Sequence, residues 1–479
     1  MKKFTFRGGV HPYEGKELTA VGPVGVLDPG KELAFLLSQH IGAPAAPAVK
    51  KGDHVMVGQM LAEAGRGLSA KVFSSVSGTV KGIEKRRSAK GDLVDAVIVE
   101  NDFQYETAPF EALPGMEEYL AAFCSQNTGR YSMMDMHEHD AQAVLDAVKP
   151  DQILAKMGPS EVLDRIREAG VVGMGGAGFP THVKLSPSDP EKIDYVLVNG
   201  SECEPYVTCD YKLLCIRPGE LIAGLKAVLK LFGNVQGVIC IEDNKPDAIS
   251  TLKKALIREE TIYVAPCRTK YPEGAERSLI KAITHRDVNS MMLPADAGCI
   301  VVNVSTIYAI FEAVYLGKPD YARLMTVSGD AIVSPGNFLV PNGMYFREII
   351  HSAGGFRLPP EKLIAGGPMM GFAQADLEGV TTKTSSAITA FCYDIISAQP
   401  ETPCINCGRC ADACPARLVP SHLARMVEKG KMDQFEENYG LECVNCGSCS
   451  WSCPAKRPLA ALIFQGRQMV LAQRRKARK

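Results

Sequence analysis

This 479-residue chain has no surplus of charge: 53 lysines and arginines stand against 54 aspartates and glutamates, a net charge of −1. With no basic field for a polyanion, nucleic acid is not an expected partner. A secretory leader is missing too, because the opening MKKFTFRGGVHPYEG has two lysines but no apolar core behind them. Long apolar runs are equally scarce. The best candidate, CIVVNVSTIYAIFEAVYLG (299–317), is interrupted by Asn303, Ser305, Thr306 and Glu312. A lipid-facing helix would not bear that set, so the run is expected in a buried core. The expected chain is soluble, though free to dock on a membrane assembly. Finally, eight of its sixteen cysteines (Cys124, Cys203, Cys209, Cys215, Cys240, Cys267, Cys299, Cys392) are scattered without pairing. Without a leader, that argues for metal chemistry in a reducing compartment rather than a disulfide scaffold.

The residues present are those of an ordinary globular protein, 46% hydrophobic and 22% charged, and the length predicts three or four domains. The fold class expected is multidomain, α/β and α+β. Over residues 40–100, APAVKKGDHVMVGQMLAEAG, KVFSSVSGTVKGI and DLVDAVIVE alternate short apolar runs with turn signals, predicting a compact β-sandwich or barrel. This text resembles biotinyl and lipoyl carrier domains. Such a domain needs an acceptor lysine at its hairpin tip, and the matching position is Gly67, with Lys71 four residues on. The scaffold is expected without the swinging arm. ETAPFEALPG (106–115) reads as a linker.

From about 120 to 320, helical and strand patterns mix. EVLDRIREAG (161–170) spaces Val162, Leu163, Ile166 and Ala169 as a helix that ends on glycine, while IDYVLVNG (193–200) and GVICIED (237–243) read as buried strands. Residues 325–385, with TVSGDAIVSPGNFLVPNGMYFREIIHSAGGF, suggest a small β-grasp-like unit for structure or docking. The expected boundaries are 1–115 for the carrier-like barrel-sandwich domain, 120–322 for an α/β domain, 323–390 for the β-grasp domain and 395–479 for a helical C-terminal domain. The basic end QRRKARK reads as a frayed, solvated terminus, with attraction to anionic lipid or an acidic partner as the alternative.

CINCGRCADACP (404–415) and CVNCGSCSWSCP (443–454) are both C-x2-C-x2-C-x3-C-P. Three thiolates on a tight loop reach three corners of a cubane, and the fourth is directed to the other cluster. The pair therefore predicts two [4Fe–4S] clusters with exchanged ligands. One takes Cys404, Cys407, Cys410 and Cys453; the other takes Cys443, Cys446, Cys449 and Cys414. Zinc, the alternative, brings separated cysteine pairs rather than two complete runs. The 28 residues between Cys414 and Cys443 read as helical, which suggests an α-helical ferredoxin over a small β-ferredoxin. Two adjacent clusters make an electron relay.

VVGMGGAGFPTHVKL (171–185) is the second concentration of chemistry. A dinucleotide fingerprint leaves a strand and opens a helix, whereas this loop follows a helix and meets a proline. The stretch instead resembles the flavin loop of the 51-kDa type NADH dehydrogenase subunit, the NADH- and FMN-binding part of respiratory complex I. VNGSECEP (198–205), YPEGAERSLI (271–280) and NVSTIYAI (303–310) are similar to further segments of that family in the same order. The resemblance implies that Gly173, Gly175, Gly176 and Gly178 let the backbone lie against FMN. It implies Lys184 beside the flavin or its phosphate, Asn199 and Glu202 beside the ribityl chain and ring, and Tyr271, Gly274, Asn303 and Thr306 in the remaining wall. Phe179 would stack on the NADH adenine, with Glu204 and Glu276 at the nicotinamide end. Met174, Ser201, Ala275 and Pro187 depart from the family pattern. Unliganded tight turns are the other reading of the glycines.

With FRGGVHP (6–12), the order of domains resembles the C subunit of the Rnf electron transport complexes, membrane-bound ferredoxin:NAD oxidoreductases that pump Na⁺ or H⁺. What this implies is hydride exchange between NAD(H) and FMN, and one-electron exchange between FMN and the two clusters, with no side chain acting as nucleophile or general base. The implied setting is peripheral, on the cytoplasmic face of the cell membrane, beside a ferredoxin-like cluster subunit and integral membrane subunits. A soluble diaphorase-type subunit of a hydrogenase or formate dehydrogenase is the alternative. A non-catalytic adaptor, relaying electrons only, is the third.

Overall fold

A computed structural model describes residues 3–124, 138–396 and 398–477. The N-terminal sandwich packs a four-stranded antiparallel sheet, ordered Glu32–Leu36, Leu93–Asn101, Gly78–Arg87 and His54–Val55, on a three-stranded one. The alternation of the central strands explains the packing. Leu33, Phe35, Val97 and Val99 face the interior of the sandwich. Ala34, Leu36, Ala96 and Ile98 face the other way, onto Tyr345 and Val380 of the β-grasp unit. Both faces are apolar because both are covered. At the tip, Lys71 is tied to Glu168 at 2.6 Å and Glu63 at 3.4 Å.

The stretch 106–115 is no free linker. Thr107 bridges Val57, Leu113 N–H donates to the Tyr315 carbonyl at 2.8 Å, and Gly317 packs onto the backbone of Glu111. Its backbone groups find partners on two units, which fixes it between them.

The central unit holds a parallel sheet in the order Ile262–Cys267, Gln236–Glu242, Tyr195–Gly200, Cys299–Asn303. The 299–317 run is buried core as two elements, the last of these strands and the helix Val304–Leu316, every residue of which is buried. Asn303 divides them by accepting the Ser305 N–H at 2.9 Å as an N-cap. The other polar interruptions are satisfied within the core: Ser305 Oγ donates to Asp210 at 2.6 Å, and Glu312 pairs with Lys318 at 2.8 Å.

The β-grasp unit is built on a sheet whose central strand Ala322–Ser328 runs parallel to Ala387–Phe391 and antiparallel to Gly336–Pro341. Its edge strand comes from far upstream, as Val24–Val26 pairs in parallel with Gly336–Pro341.

Among the described residues beyond 395 the elements are all helical. Arg409–Asp412, Pro420–Glu428, Met432–Glu437, Ser448–Trp451 and Leu459–Ala477 enclose Leu423, Met426, Phe435, Ile463 and Val470. The helical stretch 421–440 is two helices, separated at Gly430, whose φ of +68° no continuing helix could use. The basic end departs from expectation. The last helix continues to Ala477, and Arg474 pairs with Glu436 across the unit. No described helix is long and apolar enough to cross a membrane.

Candidate functional site

The glycine loop is closed at its base. Gly173 N–H donates to the Phe179 carbonyl at 2.8 Å and Thr181 N–H to the Val171 carbonyl at 3.0 Å. Helix Pro159–Glu168 precedes it and helix Thr181–Lys184 follows, so it is not a strand-to-helix nucleotide turn. Its glycines do different work. A Cβ on Gly175 would lie 2.9 Å from that of Asn303, and one on Gly178, at φ +72°, would meet the Gln39 carbonyl at 3.0 Å. A Cβ on Gly176 meets nothing, and one on Gly173 makes only ordinary contact with Phe179. Residues 175–177 and Phe179 face solvent, the latter 37% exposed. Met174 turns into the core. Its N–H donates to Thr306 Oγ1 at 2.9 Å and its carbonyl accepts from the buried Arg323 at 3.3 Å. Thr306 thus fixes the loop from beneath.

The end of strand Tyr195–Gly200 supplies the neighbouring wall. Asn199 Nδ2 donates to the Gly274 carbonyl at 2.8 Å, and Gly274 N–H donates to Cys203 Sγ at 3.2 Å. Glu202, in the left-handed region at φ +46°, caps helix Cys209–Ile216 by accepting the N–H groups of Asp210 (2.7 Å) and Tyr211 (3.1 Å). Asp210 in turn accepts from Asn303 Nδ2 at 2.6 Å. Burial pushes the Glu202 carboxyl up to about 7, Asp210 adding to the rise and Lys16 opposing it. Glu204 accepts the Met369 N–H at 3.2 Å through one oxygen. Its other oxygen is out of solvent with no hydrogen-bond partner, and burial raises this carboxyl to about 7 as well. Lys184 and Glu276 form an ion pair of 2.7 Å at the loop's edge.

Sequence reasoning missed what holds this turn. Lys16 Nζ donates to the carbonyls of Glu202 (2.8 Å), Glu204 (2.9 Å) and Val207. Lys245 Nζ donates to the Ser201 carbonyl at 2.6 Å. Nothing local marks either lysine; only the tertiary fold brings them under the turn.

The two cysteine loops repeat one another. Asn406 and Asn445 have φ of 54° and 56°, Gly408 and Gly447 both 79°, and each glycine opens a four-residue helix. In the second loop, burial raises the Cys449 thiol to about 12, with Cys446, Cys443 and Cys414 as like-charged neighbours. Burial likewise raises Cys414 to about 11, beside Cys446 and Cys443. The fold therefore sets Cys414 among the cysteines of the other run. Cys410, Cys449 and Cys453 share an apolar cluster with Leu459, while Cys404 and Cys407 lie on a more open loop. Backbone N–H groups of Leu418 and Asn445 approach Cys414 and Cys443 sulfur at 3.4 Å. Grouped thiols with amide donors on left-handed loops fit iron–sulfur ligation, in which each thiol would release its proton to solvent as it binds iron. The open face at Gly176, the exposed Phe179 ring and the unpartnered Glu204 oxygen fit a flavin with a stacked nucleotide. The scattered cysteines from Cys203 to Cys392 form no disulfide among the described residues, and the side chain of Cys124 lies outside them.

The two centres touch. Tyr271, buried and near Glu204 and Cys203, donates its hydroxyl to the Cys446 carbonyl at 2.7 Å, so its hydroxyl faces the cluster loop. Arg277 pairs with Glu442 at 3.0 Å, just ahead of Cys443.

Four family models match in the order the fold displays. They are an RnfC barrel sandwich hybrid domain over residues 4–104, a Nuo51 FMN-binding domain over 166–312, an SLBB domain over 324–373 and a 4Fe-4S dicluster domain over 403–456. The chain is 40% identical over 478 residues, 99% of both proteins, to the C subunit of the Na(+)-translocating ferredoxin:NAD(+) oxidoreductase complex of Acetobacterium woodii. It is 38% identical to the proton-translocating counterpart of Clostridium ljungdahlii over 91% of this chain and 87% of that one. The C subunit of the ion-translocating oxidoreductase complex of Rhodobacter capsulatus is 33% identical, over 90% and 77%. A solved NAD+-reducing [NiFe]-hydrogenase chain overlays 58% of this chain and 54% of its own, with 21% identity and a TM-score of 0.45, too partial a likeness to carry any assignment. The chain belongs to the C-subunit family of the ion-translocating ferredoxin:NAD(+) oxidoreductase complexes.

Proposed function

We propose that this chain is the peripheral, NAD(H)-reactive subunit of a membrane-bound, ion-translocating ferredoxin:NAD oxidoreductase, seated on the cytoplasmic face with cluster-bearing and integral membrane subunits. The observation that carries the proposal is the contact of a flavin-type segment, 271–280, with a two-cluster module through Tyr271 and Cys446. FMN, when bound, exchanges a hydride with NAD(H) and single electrons with iron–sulfur centres.

The chain's residues supply position and tuning. Gly173, Gly175, Gly176 and Gly178 hold the loop backbone where a flavin lies against it, and Asn199, Gly274 and Asn303 fix the opposite wall. Phe179 offers a ring to the adenine. The Lys184–Glu276 pair closes one edge, Lys184 offering charge to the phosphate and Glu276 a carboxylate toward the nicotinamide. Burial raises the carboxyls of Glu202 and Glu204 to about 7, so each would exchange a proton near neutral pH beside the bound flavin. Cys404, Cys407, Cys410 and Cys453 hold one cluster; Cys443, Cys446, Cys449 and Cys414 hold the other.

Cofactor analysis of the purified protein tests this. FMN bound without a covalent bond and about eight irons per chain are expected. Iron-loaded protein that takes up no added FMN would refute the flavin reading, and stoichiometric zinc would refute the cluster reading.

A further inference from the structure

The cysteine loops share a backbone but not an environment, and that difference orders the relay. Around the ligands Cys414, Cys443, Cys446 and Cys449, three separate segments close in. Tyr271 donates to the Cys446 carbonyl at 2.7 Å. Gly9 N–H donates to the Ala413 carbonyl at 2.9 Å, and Gly8 has no room for a Cβ against the Cys414 carbonyl, 2.8 Å away. From the β-grasp unit, the Met369 carbonyl lies 3.4 Å from where Gly447 would place a Cβ. Met369 itself is bonded to Glu204, and Gly274, in the flavin wall, is three residues from Tyr271. The 404–409 stretch of the first loop is bare by comparison. Cys407 is exposed, Ile405 is 68% exposed, and a Cβ on Gly408 would meet nothing. Arg409, directly after Gly408, is exposed as well.

We infer that the cluster held by Cys443, Cys446, Cys449 and Cys414 is the one that exchanges electrons with the flavin. The cluster of Cys404, Cys407, Cys410 and Cys453 is the exit, where a one-electron iron–sulfur carrier protein docks on the 404–409 loop. The inference rests on the flavin and cluster reading above. Electron tunnelling falls steeply with distance, so a partner must bring its own centre close to the outer cluster, and the loop around the exposed ligand Cys407 is the approach the fold leaves open. Ile405 gives that loop an apolar contact and Arg409 a cation for an acidic partner surface. In the NADH-oxidising direction, one NADH yields NAD⁺, a proton and two electrons, and two oxidised carriers each accept one electron.

The test uses the full-length holoprotein mixed with NADH and followed by freeze-quench EPR, with flavin absorbance recorded in parallel. Cys407→Ser should alter the signal of one cluster while the other, unaltered, is reduced at the wild-type rate. Cys446→Ser should leave a cluster that dithionite reduces but NADH reduces at least about tenfold more slowly. The reverse pattern, or wild-type rates for the remaining cluster in both variants, overturns the order. If the cysteine variants do not fold, Ile405→Asp decides the exit. NADH should bleach flavin and reduce both clusters normally, while reduction of the iron–sulfur carrier falls about tenfold, the scale of one lost interface anchor. Unchanged carrier reduction in that variant overturns the docking site. Wild-type protein that binds no flavin would instead refute the underlying reading, and absorbance reports that separately.

Discussion

The loops 404–414 and 443–453 are the same device in two settings. Their left-handed residues match to within a few degrees, because three ligands on so short a run leave the backbone little choice. What differs is what packs on them. The second loop is touched by the central unit and the β-grasp unit, and Cys414, the ligand lent to its cluster, by the N-terminal segment, whereas the 404–409 stretch of the first loop lies largely in solvent. Local sequence dictates how a loop wraps a cluster; tertiary contacts dictate what the cluster can exchange electrons with.

The largest expected effect removes the comparison altogether. Phe435 is fully buried between the helices that carry both loops, against Gly440 and Gly466. Phe435→Ala should cost about 3–5 kcal/mol, and iron analysis should show both clusters depleted; loss of only one would mean that the loops fold independently. Tyr271→Phe touches one loop alone. Deleting the hydroxyl removes a buried hydrogen bond worth about 1 kcal/mol and leaves the Cys446 carbonyl without it. Chelator-driven iron release should accelerate for the second cluster and stay unchanged for the first, each followed by its EPR signal.

A pH effect belongs to the same side. The Glu204 carboxyl is raised in the folded protein to about 7 from an ordinary 4.5. The folded state therefore binds the proton more tightly than the unfolded chain. The resulting stability is full below about pH 4.5 and is lost as pH rises through about 7. Glu204→Gln should flatten that part of the denaturant-midpoint profile between about pH 5 and pH 8; an unchanged slope would assign the pH dependence to other groups. The smallest effect is expected at the bare loop, where Ile405→Ala should shift the melting free energy by less than about 0.5 kcal/mol, checked by thermal unfolding of the holoprotein. A larger loss would mean that Ile405 is structural.

Much of this is legible in the sequence wherever the physics is local. Cysteine spacing alone places ligands on a loop, short apolar runs mark the buried strands Tyr195–Gly200 and Gln236–Glu242, and helical spacing marks the helix Pro159–Glu168. The order of four flavin-type segments is legible as well. Contacts that depend on distant chain are not. Lys16 lies far upstream of the turn that it secures. Val24–Val26 reads as part of the first domain yet completes the sheet of the third. Met174 departs from the family's loop pattern. Its side chain is buried, and Arg323 from the β-grasp unit holds its carbonyl. Glu202 is expected beside a ligand, and its two oxygens also cap a helix.

The N-terminal segment has a consequence for how the protein is made. Phe4 bridges Cys267, Val10 pairs with Tyr271, Gly8 and Gly9 lie on the backbone at residues 413–414, and Lys16 secures the turn at 202–207. These early residues leave the ribosome long before the ligands at 404–453 exist. The contacts of Gly8 and Gly9 are therefore completed only once the cluster module has emerged. The segment acts as a seal on maturation: iron-starved protein should expose the stretch around Gly8 and Gly9 to proteases, while the completed protein keeps it closed.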